Sequence, residues 1–381
     1  MKPSRSAWLD ALRGIAALVV VFDHSSYTFL PEVRRELMPE FNTSRYGIMV
    51  FFLVSGYLIP ASLERRGHVR EFWIGRIFRV YPLWAVVVAA LLALHLAGVA
   101  GIRELDGQSV YLTALAHVTM LQELLGTPNL LLVLWTLSYE MSFYLLVVAL
   151  FTLRLHRHSG TIAVFFAVAS VVAGATVPAS ALSGAVGRGP LIVCASVAMV
   201  VAICCANAWA RVLGGALGLV LIALNGTVPT WEGLVILAVM FLGTAIYRAG
   251  WGSWRVALVV VGCAVGSSYA YGSAPRGWIT AFLLAVLTFG VGLASRRRRT
   301  PRVLAGLGTV SYSVYLVHPL LLAVIDGTVG RRREDSWLLE VAFCAVLLPV
   351  CVLTYRYVEV PGQEWGRALA RRMRSRWPTE A

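Results

Sequence analysis

Long apolar runs recur along the whole chain. They cover roughly 8–29, 46–62, 78–100, 131–153, 161–178, 190–209, 212–228, 231–248, 254–272, 277–294, 303–325 and 337–357. Most approach the roughly 20 residues that a helix needs to cross a bilayer, and short polar or basic stretches separate them. The pattern predicts an all-α fold: one polytopic transmembrane helical bundle of about 10–12 helices over 1–366, then a basic tail over 367–381. The range reflects 190–209 and 212–228, which only Arg211 separates. A further stretch, 110–126, is broken by His117, Gln122 and Glu123 and ends at "GTPN"; it reads as an interfacial or re-entrant piece. No internal repeat is visible, which weighs against the many secondary transporters built from two related halves.

Composition agrees with the pattern. Of 381 residues, 59% are hydrophobic and 14% charged; the mean hydropathy is +0.75. A soluble domain has roughly 45–50% apolar and about 25% charged residues. The net charge of +14 would suit a nucleic-acid partner only if it formed a stripe on a soluble face. Here the basic residues sit in short loops between apolar runs, as the positive-inside rule describes, so no nucleic acid is expected. With the N-terminus placed inside, inner segments hold 22 Lys or Arg and outer loops 9. Both termini are therefore expected in the cytoplasm, with the outer "GRRRED" as the exception. Lys2 is the single Lys, an Arg bias that a GC-rich genome would explain. The first run is preceded by Lys2 and Arg5, but it is long, contains Arg13 and Asp23, and lacks a small-x-small cleavage site; it reads as a retained helix. None of the six cysteines has metal-ligand or CxxC spacing, so neither a disulfide framework nor a metal is expected.

Ionisable groups inside apolar runs are the informative departures, because each is costly in a membrane. In "LDALRGIAALVVVFDHSS" Arg13 and His24 are eleven residues apart. At about 100° per residue they share one helix face, roughly 16 Å apart along the axis. Arg13 would sit near the inner interface, with Asp10 three residues away, and His24 deeper in the outer half. The alternatives are that Arg13 snorkels to headgroups and that His24 is an interhelical hydrogen-bonder, though the neighbouring Asp23 and Arg13 favour a lined passage. Asp23 points about 100° from His24 and finds no role in this reading. In "FFLVSGYL" Ser55 and Gly56 allow close backbone approach, which packing alone explains. In "RIFRVYP" Arg76 and Arg79 lie on neighbouring turns; with Arg65, Arg66 and Arg70 they form a dense basic cluster. That spacing suits either bidentate phosphate binding or an ordinary inner-surface anchor. Glu140, in "LWTLSYEMSFY", has Tyr144 one turn on and needs a cation or donors; it reads either as a structural ion-pair partner or as substrate-proximal. In "SYSVYLVHPLL" Ser311, Tyr315 and His318 fall within about 60° of one face. Arg356 and Glu359, three apart, are most simply a pair capping the last helix.

Together these pieces resemble the acyltransferase 3 family of integral membrane acyltransferases. The matching stretches are "LDALRGIAALVVVFDH", "FFLVSGYL", "RIFRVYP", "LWTLSYEMSFY", "FLGTA" at 241–245, "SYSVYLVHP" and "VEVPG", in the family's order over residues 9–362. The resemblance implies transfer of an acyl group, usually acetyl, from cytoplasmic acyl-CoA to a hydroxyl, in a multi-pass protein of the bacterial cytoplasmic membrane. Acceptors implied are sugars of polysaccharide, peptidoglycan or lipid-linked glycan, and macrolides. Acyl-CoA would be a donor substrate, with no permanently bound cofactor. Carried onto this chain, the resemblance makes His24 catalytic with Arg13 its partner, Arg76 and Arg79 the family's Arg-x2-Arg, and Glu140 the family's acidic position. Tyr144, Ser311, Tyr315 and His318 are expected near substrate. The family usually has about ten helices. The chemistry fits: a hydroxyl attacking a thioester needs a base near neutral pH, and acyl-CoA phosphates want Arg at the inner surface. His24 would be general base or a transient acyl carrier. The alternative is a transporter or flippase moving a polar solute past the same buried groups.

Overall fold

A computed structural model describes residues 7–101, 108–174, 176–272 and 274–376, the side chains of 374–376 excepted. Lys2 and Arg5, counted among the inner basic residues, and Arg103, counted among the outer ones, lie outside the described residues, as do the last five of the tail. In chain order the helices are α1 (Ala7–Phe29), α2 (Pro31–Leu37), α3 (Thr43–Arg66), α4 (Val69–Leu96), α5 (Val110–Val118), α6 (Trp135–Thr152), α7 (Ser159–Ala173), α8 (Ala181–Ala185) and α9 (Arg188–Cys204). They continue with α10 (Ala208–Asn225), α11 (Thr230–Ala249), α12 (Trp254–Tyr271), α13 (Trp278–Ser295), α14 (Arg302–Thr309), α15 (Ser311–Thr328), α16 (Trp337–Thr354) and α17 (Val360–Arg376). No strand occurs among the described residues.

The protein is all-helical, and each apolar run falls on helix. Eight helices among the described residues are long and apolar enough to cross a membrane, or nine if the bent pair α14–α15 forms one span. That is fewer than 10–12, and the reasons are physical. The 42-residue stretch Thr230–Tyr271 counts once, yet at 1.5 Å per residue it is about twice a bilayer's thickness, and it breaks at Gly250, whose φ is +54°. Helix α9 has 17 residues. Helix α1 carries Asp10, Arg13 and Asp23 and misses on polarity. The division between α9 and α10 falls at 205–207 rather than at Arg211, because the Asn207 side chain accepts from Trp209 N (2.8 Å) and caps α10. Helix α5, of nine residues, is too short to span. Residue 367, where the tail was expected to begin, lies inside α17.

The chain forms two compact units. One comprises Glu40–Ser62 and Arg103–Ser295. Its centre is α11, where every residue from Thr230 to Ala245 is buried; a helix apolar on all sides belongs inside a bundle. It packs on α7 and α12, while α6 packs on α10. The "FFLVSGYL" and "FLGTA" stretches prove to be two sides of one contact. A Cβ on Gly56 would strike the Met240 backbone, a Cβ on Gly243 would strike the Leu53 carbonyl, and Thr244 Oγ1 donates to Gly56 O at 2.8 Å. Outward-facing Leu258, Tyr269, Leu287 and Val291 are exposed, as a lipid-facing surface requires.

The other unit comprises Met1–Pro39, Leu63–Ile102 and Arg296–Ala381. Here α1 packs against α14, α15 and α16, and α4 against α15 and α17. Helices α1 and α14 touch through glycines: a Cβ on Gly308 would overlap the Asp10 backbone, and one on Gly14 would stand 2.9 Å from Gly308 N. This close approach sets α15 alongside α1 in the same direction, with His318 beside His24 and Asp326 beside Thr28. The last helix does not stop at Glu359. Helix α16 runs through a π turn (Tyr355–Glu359) into α17, so the expected Arg356–Glu359 cap is not formed. Arg356 is exposed over the Tyr357 ring, and Glu359 turns inward.

Candidate functional site

The second unit just described holds the centre of interest. His24 Nδ1 and His318 Nε2 are 2.8 Å apart, with the rings stacked at 5.1 Å and 18°. His318 is fully buried, and its Nδ1 lies 2.7 Å from Val314 O, one turn back along α15. Pro319 follows His318 inside the helix and lacks the amide that would bond Tyr315 O, so this turn is locally loosened. Tyr315 packs edge-on to His318, centroids 6.3 Å apart. His24 keeps about 10% of its side-chain surface exposed, and its Nε2 lies 3.7 Å from Asp23 Oδ2.

Asp23 has a partner that the sequence reading missed. Arg34, at the basic end of α2, donates from Nη1 to Asp23 Oδ1 (3.2 Å), to Asp23 O (2.6 Å) and to Ser26 Oγ (3.0 Å). Its guanidinium lies over the Tyr27 ring at 3.2 Å. Ser25 donates to Glu340 Oε1 of α16 (2.6 Å), and Thr28 to Asp326 Oδ1 (2.8 Å), whose other oxygen pairs with Arg331 (2.9 Å). Asp335 accepts from Glu32 N and Val33 N and so caps α2. The C-terminal end of α1 is thus held on three sides by named polar contacts. Glu340 was legible in principle: it is the one carboxylate inside the 337–357 run, and the rule that singled out Glu140 applies equally to it.

At the other end of α1 stands a different group. Arg13 and Arg79 both lie within electrostatic reach of Asp10 and of Glu359. Ser313 donates to Glu359 Oε1 (2.5 Å), and Thr354 donates to Ser313 Oγ (3.0 Å). Eleven helical residues put Arg13 about 16 Å from His24. Ser311 is buried and donates to Gly308 O (2.8 Å), closing the α14–α15 bend. Arg76 stands over the Phe72 ring (5.4 Å) and within electrostatic reach of Arg66, whose Nη1 donates to Glu71 O (2.6 Å). Two like charges are therefore gathered at the start of α4.

Glu140 belongs to the unit centred on α11, where Tyr144 donates to its Oε1 at 2.6 Å, a bond one turn long within α6. That unit has its own buried ion pair, also missed from sequence: Arg45 Nε to Glu232 Oε1 at 2.8 Å, with Trp278 Nε1 donating to the same oxygen at 3.0 Å. Asn129 and Thr227 both donate to Glu123, and Gln122 donates to Leu134 O, so the broken apolar stretch is pinned by its own polar side chains. No group of three metal-ligating side chains occurs among the described residues.

Comparison with known proteins decides the family. The acyltransferase domain family matches residues 6–356. The chain belongs to the acyltransferase 3 family. Relatives include "Nodulation protein 10" of Rhizobium leguminosarum bv. viciae, 30% identical over 152 residues, or 36% of this chain and 41% of that protein. "Acyltransferase MdmB" of Streptomyces mycarofaciens is 29% identical over 146 residues, 36% of this chain and 37% of that protein. The chain thus aligns with about two-fifths of the length of these curated relatives. No solved structure matches the chain.

Proposed function

We propose that this protein is a multi-pass membrane O-acyltransferase. It moves an acyl group, acetyl in the first instance, from acyl-CoA to a hydroxyl of a glycan, a cell-envelope component or a macrolide. The carrying observation is the imidazole pair on α1 and α15, with His24 Nε2 at the partly open end, in a chain of this family. The name of the Streptomyces relative supports acyl transfer.

His24 Nε2 takes the proton of the acceptor hydroxyl as its oxygen attacks the thioester carbonyl carbon. The carbon–sulfur bond then breaks, and the proton passes from His24 to the leaving thiolate. The products are the ester and CoA, with no redox change. Asp23, fixed by Arg34, stands where it favours the imidazolium formed midway. The donor's phosphates are assigned to the guanidinium cluster at the start of α4, with Arg76 and Arg66 its leading members. Arg79 and Arg13 act mainly as counter-charges to Asp10 and Glu359. On this reading N- and C-termini are cytoplasmic, and α1, α9, α11, α12 and the α14–α15 pair each span the bilayer, which with the remaining candidate helices gives about 12 spans, the upper end of the expected 10–12, in the bacterial cytoplasmic membrane.

A transporter would explain buried charges equally well, so the test uses labelled acetyl-CoA. Purified protein in vesicles carrying membrane glycans, or supplied with a macrolide, should pass label to the acceptor or hold it covalently. Uptake of label without any labelled product would contradict the reading. Arg76→Ala should raise the KM for acetyl-CoA by about 10- to 150-fold, as loss of a charge-assisted contact of about 1.5–3 kcal/mol implies; an unchanged KM removes the phosphate role.

A further inference from the structure

His24 and His318 share one hydrogen, and the surrounding bonds decide which ring carries it. The carbonyl of Val314 can only accept, so the hydrogen in the 2.7 Å contact is on His318 Nδ1. None of the ion pairs of the described residues involves His318, and a fully buried imidazolium without a counter-ion is costly. His318 is therefore neutral, and its Nε2 is a lone pair. The hydrogen in the 2.8 Å contact between the rings then belongs to His24 Nδ1. A neutral imidazole has one N–H, so His24 Nε2 is left with its lone pair open. Asp23 does not compete for that atom, because 3.7 Å is beyond hydrogen-bond length and its Oδ1 is engaged by Arg34.

We propose that His318 is a positioning residue: through Val314 O and its own Nε2 it locks His24 in the tautomer that presents Nε2 as the proton acceptor. The proposal rests on the acyl-transfer reading and gives His318 a place behind the base rather than against substrate. Val314, His318 and His24 form a one-way relay, with the backbone carbonyl of α15 as its anchor. As His24 takes the hydroxyl proton, His318 Nε2 continues to accept from Nδ1 and supports the imidazolium without moving. Pro319 belongs to the same device, because it relieves the helix at the turn where the His318 ring bonds its own backbone.

The test compares His318→Gln with His318→Asn. A Gln amide reaches the position of Nε2 and can accept from His24. An Asn amide ends near the position of Nδ1, keeps the bond to Val314 O, and falls short of His24. Both are polar and of similar bulk. With labelled acetyl-CoA and membranes as acceptor, kcat should fall at least about tenfold in His318→Asn with the KM for acetyl-CoA within about twofold, and His318→Gln should recover most of the loss. Equal rates in the two variants, or a wild-type kcat in His318→Asn, would overturn the proposal. Solid-state nitrogen-15 NMR of the wild-type protein in bilayers gives a readout that needs no activity. A protonated Nδ1 on His24 coupled to an unprotonated Nε2 on His318 is expected; a protonated Nε2 on His24 refutes the lock. Absence of any acetyl transfer by the wild type would instead count against the acyl-transfer reading, leaving the NMR result to decide the tautomer.

Discussion

The two ends of α1 both bury ionisable groups, and they do so by different means. Near Asp10 the solution is charge against charge: Arg13 and Arg79 lie within electrostatic reach of Asp10 and Glu359, while Ser313 donates to Glu359 and Thr354 to Ser313. Near His24 a chain of neutral hydrogen bonds, imidazole to imidazole to backbone, runs beside the Asp23–Arg34 ion pair. A charge quartet is robust only while complete, since removing one member strands the others. A neutral relay tolerates loss of a member structurally but not chemically, because its worth is the direction in which it points a proton. The first end is built for stability and the second for reaction.

Substitutions at the two ends should therefore separate stability from rate. The largest stability effect is expected at Glu359. Glu359→Leu leaves two guanidiniums against one carboxylate and should cost about 3–5 kcal/mol, read as lost accumulation in the membrane or a lower Tm. A smaller loss would mean the quartet is not load-sharing. Gly308→Val forces a branched side chain into the Asp10 backbone and should cost about 1–3 kcal/mol, lowering Tm while leaving the KM for acetyl-CoA alone in the protein that remains. Arg34→Ala frees Asp23 to turn from His24. Here kcat should drop by about three- to tenfold, equivalent to a charge-assisted contact of about 1 kcal/mol or somewhat more, and Tm should fall as well, because the buried Asp23 carboxylate loses its cation. An unchanged kcat would show that Asp23 plays no part in holding the imidazolium. Arg331→Ala, at the exposed pair with Asp326, should shift stability by no more than about 1 kcal/mol, since Arg331 is 64% exposed.

Much of this was legible in the sequence, for identifiable reasons. Helix content and most boundaries follow from apolar run length, and the departures have local causes: Asn207 moves one cap, Gly250 breaks one run, and a π turn carries the last helix onward. Periodicity put Arg13 and His24 on one face, and "SYSVYLVHP" marked the strip that brings His318 to His24. Pairing across helices was not legible. Asp23 had no role until α2 folded back and delivered Arg34, and Glu359 looked like a partner for Arg356 until the π turn rotated it inward toward Ser313. Arg45 and Glu232 are 187 residues apart, and no local period connects them.

The central claim is that His24 is the base of an acyl transfer. The most direct measurement is the rate of acetyl transfer from labelled acetyl-CoA into membrane glycan or added macrolide by wild-type protein and by His24→Ala, with Tm recorded for both. The account predicts a fall of about a hundredfold or more in rate at a nearly unchanged Tm. A variant that transfers acetyl within about twofold of wild type would contradict it.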